Sequence, residues 1–502
     1  MHSPTQTPTF FSAIHISRLV LAFLSILVYI LCMPRGITWL NFGTDGAELL
    51  AAALSDGVAH PSGYPLYTWI LRGLALIPVE LALIANLLSA VLITASGQML
   101  FLTLANQAEP STPSWVVGVT GLLAAASFQF APLVWAHATV SEVYPLHLFL
   151  LSLLIWMSTR PVQSGTETRR DLAIGLIFGL GLANHLTILF AFPFVVQPTR
   201  FINHDRVVEL PGIGYRHDLR SAIRRLGVAL IMAFGFYGSL LLTDPTSAVR
   251  WHDPQNLGDL IDLISGAIYQ PYFSAPNDFS FSRLLALPGW LVEQLGAFGL
   301  FLGLWGAVYL TRPTWRDLSL IILALSSVGF SLLYPIYDSY VHLLPFLFVS
   351  GLWIGLGLLH LLHLAKGSKA VIGLLVVFTL NLGYLIAVQW NQVDASDDTK
   401  AKTYAMSALA QAPQNAVILA SDDRTIFPLW YYHDGLGERP DLMVIAQPLA
   451  RTAWYQRSIR RVMPMINIPT DVGVEFWREA NPNLTICLIK SAEPLDMDCG
   501  DT

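Results

Sequence analysis

Long apolar stretches recur from residue 16 to residue 389, and several are long enough to cross a hydrocarbon core of roughly 30 Å. Only 12% of the 502 residues are charged and 54% are hydrophobic, whereas an ordinary soluble domain is about 25% charged. The chain therefore reads as a polytopic helical membrane protein. Its formal net charge of -6 says little, because the distribution of charge across the membrane matters more than its sum. The first apolar segment, Ile16 to Met33, lacks a small-residue cleavage site and reads as a retained signal anchor.

Further along, Tyr64 to Pro78 is apolar but short and contains Arg72, so a helix in or dipping into the interface is expected there. Full spans are expected near 82–104, 115–134, 144–159, 225–243, 285–310, 318–334, 341–364 and 370–389. The stretch 171–196 is interrupted by Asn184-His185 and reads as a hairpin of two short helices with that pair at the turn. This gives about eleven spans and puts Arg160, Arg169, Arg170, Arg200, Arg206, Arg216, Arg220, Arg224, Arg225, Arg312, Arg316, Lys366 and Lys369 in loops on one side. The opposite loops hold only Arg35, Arg72, Arg250 and Arg283. By the positive-inside rule the N-terminus is cytoplasmic and the C-terminal segment lies outside; a bacterial cytoplasmic membrane is expected on chain length, not on charge.

Composition shifts at about Asn391. Beyond it, β-like runs at 416–420, 442–445 and 484–489 alternate with helical stretches near 398–412 and 451–463. The expected fold is an all-α polytopic membrane domain over 1–390, followed by a small extracytoplasmic α/β domain over 391–502. Three cysteines are too few for a disulfide framework. Cys32 falls in the first span, while Cys487 and Cys499 would bridge only with compatible geometry in an oxidising compartment, a point spacing leaves open.

The candidate chemistry gathers on the outer side of this map. The first outer loop holds Asp45, Glu48, His60 and Tyr64, and the second Trp135, His137, Glu142 and Tyr144. The hairpin turn adds Asn184 and His185, the long loop after the span ending near Leu242 adds Arg250, Trp251, His252 and Asp253, and the loop at 335–340 adds Tyr337 and Asp338. Carboxylates are expensive near a bilayer, so Asp45 and Glu48 beside the first span point to a functional site. Carboxylates accept hydroxyl protons, aromatic faces pack on sugars and cations meet phosphate. The plainer reading of Asp45 and Glu48 is a capping box, with Asp45 at the N-cap and Glu48 at N3 of a helix over 46–54. Tryptophan and tyrosine at span ends also fit interfacial belts. Gly175, Gly179 and Gly181 fit helix packing. No His/Asp/Glu spacing suggests a structural metal, no other cofactor is expected, and nothing suggests nucleic-acid binding.

Asp45-Gly46-Ala47-Glu48, His60-Pro61-Ser62-Gly63-Tyr64-Pro65, Trp135 through Glu142-Val143-Tyr144, Asn184-His185-Leu186-Thr187 and Trp251-His252-Asp253-Pro254 occur in that order. Together they resemble a family of multi-pass proteins, long labelled a domain of unknown function, whose animal members are endoplasmic-reticulum protein O-mannosyltransferases. Tyr337-Asp338, Ser421-Asp422-Asp423 and Arg439-Pro440-Asp441 extend the resemblance. It implies the GT-C glycosyltransferase architecture, with an acidic residue in the first outer loop and a polyprenyl-phosphate sugar as donor. Asp45 matches the family's acid and Glu48 its companion, while Gly46-Ala47 departs from the small hydroxyl residue and glycine expected there.

The resulting expectation is an inverting glycosyltransferase that moves a hexose, mannose first, onto an acceptor hydroxyl of a protein or glycan. Asp45 is the expected general base, and Glu48 orients the acceptor or raises the basicity of Asp45. Arg250 is the first choice for the lipid phosphate, with Arg72 and His60 behind it, while Trp251 and Tyr64 are placed against the sugar. Glu142, His185, Asp253 and Asp338 complete the expected substrate-binding set. Two other classes are weighed: a transporter of lipid or lipid-linked saccharide, which calls for a polar path through span centres, and a binding or assembly protein with a degenerate site.

Overall fold

The structure, a computed structural model, describes residues 13–500 apart from 163–164, 199–200, 204–205, 209–213, 274–278, 310–313, 335, 337, 366–367 and 472. Tyr337 lies outside the described residues, as do Arg200, Arg312 and Lys366 among the loop cations, and the side chains of Arg206 and Arg216.

Helix α1 (Ala13–Cys32) buries only Leu21, Ser25, Tyr29 and Cys32, a single stripe with helical spacing. Within that stripe Ser25 Oγ donates to Gln129 Oε1 at 2.9 Å and Tyr29 donates to the Gln129 carbonyl at 2.8 Å. These bonds fix α1 to α5 where the bilayer offers no other partner. The short α2 (Thr44–Leu54) and α3 (Pro65–Leu74) follow, then α4 (Leu81–Ala105), α5 (Ser114–Gln129), α6 (Pro132–Ala138), α7 (Val143–Thr159), α8 (Glu167–Asn184) and α9 (Phe192–Val196). A small antiparallel hairpin, β1 (Phe201–Asn203) and β2 (Arg206–Val208), leads into α10 (Gly214–Ser239). After α11 (Leu257–Ile264) and α12 (Gln270–Phe273) come α13 (Phe279–Tyr309), α14 (Trp315–Leu333), α15 (Leu344–Leu364) and α16 (Ser368–Val393).

Among the described residues seven helices are long and apolar enough to cross a membrane, or eight if the bent pair α5–α6 is one span. That is fewer than the eleven expected, and the shortfall has three sources. The stretch 115–134 is not straight: α5 and α6 meet at 76° across the break before Pro132. The apolar helix α7 has only 17 residues. The hairpin expected over 171–196 consists of α8, a 3-10 turn at Leu186–Ala191 and the five-residue α9. Its break does fall at Asn184-His185, as the sequence indicates. In the stretch Tyr64 to Pro78 the structure has the ten-residue helix α3.

Helices α8 and α10 pack in very close contact. A Cβ on Gly175 would lie 2.5 Å from the Arg225 carbonyl oxygen, and one on Gly179 would lie 2.7 Å from that of Ala229. Small residues let the two backbones meet, as expected of membrane helices.

Helix α16 runs past residue 390 to Val393. Beyond it stand α17 (Lys400–Gln411), β3 (Val417–Ala420), α18 (Asp423–Trp430), β4 (Met443–Ala446), α19 (Ala453–Val462), α20 (Val474–Ala480), β5 (Ile486–Ala492) and β6 (Leu495–Asp498). The strand order is β4-β3-β5-β6, with β3 parallel to both neighbours and β6 antiparallel to β5. Both parallel connections carry helices, and β3, the central strand, is fully buried. Cys487 and Cys499 form a disulfide. This sheet unit docks on the first loop of the membrane part: Asn41 Nδ2 donates to the Val393 carbonyl at 2.7 Å, Ala395 N to the Cys32 carbonyl at 2.9 Å, and the Thr38 hydroxyl to Asp398.

Candidate active site

Helix α2 begins two residues earlier than the capping reading requires. Gly43 is its N-cap and no side chain caps it. Asp45 therefore sits in the first turn and Glu48 falls on the buried face. The capping box is not formed.

Glu48 is instead wholly buried against His60. Its Oε1 accepts the His60 backbone N–H at 3.1 Å, and Oε2 lies 2.9 Å from Nδ1 of the ring. On the other side of the ring, Nε2 faces Asp45 Oδ2 at 3.8 Å. One imidazole is strung between two carboxylates, one buried and one, Asp45, still 36% accessible.

The surrounding backbone explains this placement. A Cβ on Gly46 would fall 2.5 Å from the Ser141 carbonyl oxygen, so glycine lets α2 press against the turn that leads to Glu142. Ser141 in turn donates to Asn86 Oδ1 at 2.7 Å. Glu142 caps α7 by accepting Val143 N–H at 3.2 Å, while its Oε1 is buried without a hydrogen-bond partner among the described residues. On the opposite flank Val58 N–H bonds the Val249 carbonyl and Trp251 N–H bonds the Val58 carbonyl, a parallel bridge that brings Trp251 to 6.1 Å from the His60 ring. Tyr64 meets His60 edge-on at 5.0 Å and stacks on His185 at 5.7 Å. His185 also contacts the rings of Tyr144, His147 and His342.

Burial raises the Asp45 carboxyl to about 7, against the lowering effect of His60 and with further upward pushes from Asp423, Asp338 and Glu48. For His60 burial alone would favour the neutral ring. The ion pair and hydrogen bond with Glu48, then the charges of Asp45 and Glu142, outweigh it and raise the imidazole to about 10. Burial likewise raises Glu142, Asp338 and Asp423. At neutral pH the cluster thus holds a charged imidazolium beside a carboxyl poised to exchange a proton. Among the described residues no group of three or more His, Cys, Asp or Glu side chains is arranged to hold a metal ion.

A family model described as the protein O-mannosyl-transferase TMEM260 N-terminal domain matches residues 45–207, starting at Asp45 itself. A second, TMEM260-associated domain 2, matches residues 401–486. Over these two stretches the chain is similar to the TMEM260 family. It is 24% identical over 472 residues to protein O-mannosyl-transferase TMEM260 of Mus musculus, covering 88% of this chain and 64% of the relative. With the protein of the same name from Dictyostelium discoideum it shares 22% identity over 494 residues, covering 86% and 57%. The chain thus spans about three fifths of the length of these curated relatives. Among solved structures, ArnT from Cupriavidus metallidurans bound to undecaprenyl phosphate aligns with a TM-score of 0.58 at 13% identity, covering 95% of this chain and 96% of that one. The Archaeoglobus fulgidus oligosaccharyltransferase aligns with a TM-score of 0.53 at 12% identity, covering 94% and 68%. The fold is GT-C-like, a helical membrane part with a small C-terminal sheet unit.

In this chain the structure gathers Asp45, Glu48, His60, Tyr64, Glu142, His185, Trp251 and Asp338 in one region. It separates Arg250 and Asp253 from that role. The Arg250 guanidinium donates to Asp253 at 3.1 Å, to the Pro254 carbonyl at 2.8 Å, to the Asp244 carbonyl and to Thr243. Asp253 is fully buried and accepts from Arg250, Gln255 and both terminal nitrogens of Arg461 at 2.9 Å. The pair is a knot holding the loop to α19, with no group left for phosphate or sugar. Arg72 is tied to Asp56 at 2.6 Å and to the Gly57 carbonyl. Of the three cations weighed for phosphate, His60 is the one whose outward nitrogen lies beyond hydrogen-bond reach of its nearest acid. Asp423 was not among the expected site residues, although the Ser421-Asp422-Asp423 motif that contains it was visible in the sequence.

Proposed function

We propose that the chain is a membrane glycosyltransferase that moves a hexose, mannose first, from a polyprenyl-phosphate donor to an acceptor hydroxyl. The observation that carries this reading is the accessible Asp45 carboxyl, raised to about 7, beside the His60–Glu48 ion pair. A base of that strength takes a hydroxyl proton near neutral pH, an effect worth about 10²–10⁴-fold. The names of the curated relatives, protein O-mannosyl-transferases, and the undecaprenyl phosphate bound to the structural neighbour agree with the donor and the reaction.

In the proposed step the acceptor oxygen attacks the anomeric carbon as Asp45 removes its proton. The bond from that carbon to the phosphate oxygen breaks, and the lipid phosphate leaves with the electron pair. Attack opposite the leaving group inverts the anomeric centre. The imidazolium of His60, held charged by Glu48, stands beside Asp45 to meet the departing phosphate, replacing Arg250 in that role. Tyr64 and Trp251 wall the sugar position.

The proposal places the site outside, with the N-terminus cytoplasmic and the unit beyond residue 390 extracytoplasmic. The loop-charge bias and the Cys487–Cys499 disulfide support that orientation. The relatives come from a mammal and an amoeba, so they do not favour a bacterial membrane over an endomembrane.

The test is sugar transfer from polyprenyl-phosphate mannose to acceptor peptides or glycans in proteoliposomes, with Asp45→Asn as the control. Loss of transfer in a variant that purifies and unfolds like wild type supports the assignment. Near-wild-type turnover of Asp45→Asn sinks it.

A further inference from the structure

Helix α18 of the sheet unit lies along α2, and their N-termini point the same way. At the far end, a Cβ on Gly435, just past α18, would come within 3.4 Å of Ala51 Cα and 3.2 Å of Leu54. At the near end, the Arg424 guanidinium sits 4.6 Å over the ring of Trp39, on the segment entering α2. Trp39 also packs on Tyr404 at 5.6 Å, and Tyr404 donates to the Thr425 carbonyl at 2.9 Å. Helix α2 rises about 13.5 Å from Asp45 to Leu54 at 1.5 Å per residue, and α18 runs beside it in the same direction from Asp423 toward Gly435. Asp423 thus opens α18 at the end where Asp45 sits in the first turn of α2.

The two acids that open α18 are used differently. Asp422 is spent as N-cap, accepting Thr425 N–H at 2.9 Å in a capping box. Asp423 makes no hydrogen bond or ion pair among the described residues. Around Asp45 stand Glu48 from α2, His60 from the following loop, Glu142 from the turn before α7, Asp338 from the turn after α14, and Asp423 from α18. Asp423 itself also faces Asp422, while the neighbouring Arg424 is engaged by Trp39 and by Glu493 at 3.3 Å. Glu142 Oε1, buried without a partner, shows independently that the acids here are not a closed structural network.

We infer that Asp423 is a positioning residue lent by the sheet unit to the membrane part, whose negative charge strengthens Asp45 as a base. This rests on the reading of Asp45 as general base. It makes the C-terminal unit part of the reaction centre.

The experiment compares wild type, Asp423→Asn and Asp423→Glu in proteoliposomes. Two pH-dependent readouts are followed: the rate of sugar transfer, and labelling of Asp45 by a hydrophobic carbodiimide, which reacts with protonated carboxyls and is quantified by mass spectrometry. In wild type, labelling should fall and transfer should rise as pH increases through about 7. Removing a neighbouring negative charge favours ionisation, so Asp423→Asn should move both midpoints to lower pH by roughly half a unit, with Asp423→Glu restoring them. Slower transfer at every pH with unmoved midpoints, or a labelling midpoint identical in all three proteins, overturns the inference. Asp45→Asn separates the two readings: if it transfers sugar, the general-base assignment fails. If only the midpoint shift is missing, the Asp423 role fails alone. The labelling readout needs no turnover and decides the inference even for an inactive preparation.

Discussion

Helix α8 separates two kinds of buried charge. Near its start Asp171 is 1% exposed and faces two arginines: Oδ1 accepts from Arg225 Nε at 2.8 Å and Oδ2 from Arg224 Nε at 3.1 Å. Arg225 goes on to the carbonyls of Val195 and Gln197. Past its other end, His185 stacks on Tyr64 at the edge of a region where Asp45, Glu48, Glu142, Asp338 and Asp423 gather about His60. At the first site cations outnumber the acid, and the geometry is closed. At the second, acids outnumber cations, and Glu142 Oε1 has no hydrogen-bond partner among the described residues. A compensated buried charge staples helices together, whereas an under-compensated one holds protons it is ready to exchange.

The contrast can be broken in several ways. Asp45→Asn should lower transfer by about 10²–10⁴-fold while leaving thermal unfolding in detergent unchanged. A comparable loss of stability would make Asp45 another staple. Arg225→Met should do the reverse, destabilising the fold by about 3–5 kcal/mol because Asp171 loses a partner in the interior. Thermal unfolding measures this, and the transfer rate per folded molecule should stay near wild type.

His60→Gln tests the balance within the site. The wild-type transfer rate should fall below pH 7 as Asp45 takes up a proton, because only the ionised carboxyl is a base. His60, raised to about 10, stays charged across that range and adds no second inflection. Its charge lowers the Asp45 value, so removing it should move the acid limb to higher pH by about one unit. A limb that does not move would uncouple the two residues. The smallest effect is expected from Arg461→Gln at the Asp253 knot. Arg461 is partly exposed, so the loss should be about 1 kcal/mol or less, seen as easier proteolytic release of the sheet unit.

The membrane class, the short helix α3 and the break at Asn184-His185 were legible in the chain. Each depends on local composition: an apolar run, a short run with one arginine, or a polar pair inside an apolar stretch. The span count was not legible, because a hydropathy run cannot show the 76° bend between α5 and α6. Asp45 and Glu48 could be singled out, but their roles could not. Both acids fit a cap on paper, and the cap is absent only because α2 starts at Thr44.

By itself, then, the sequence determined a helical membrane protein with a polar C-terminal unit and acids in its first loop, because hydropathy and helical period act over neighbouring residues. Tertiary structure alone decided which charges are paired. It locks Arg250 against Asp253, draws Arg461 across from α19, buries Glu48 on His60 and lays α18 beside α2. The Arg461–Asp253 contact joins residues 208 positions apart in the chain, and no local pattern carries that information.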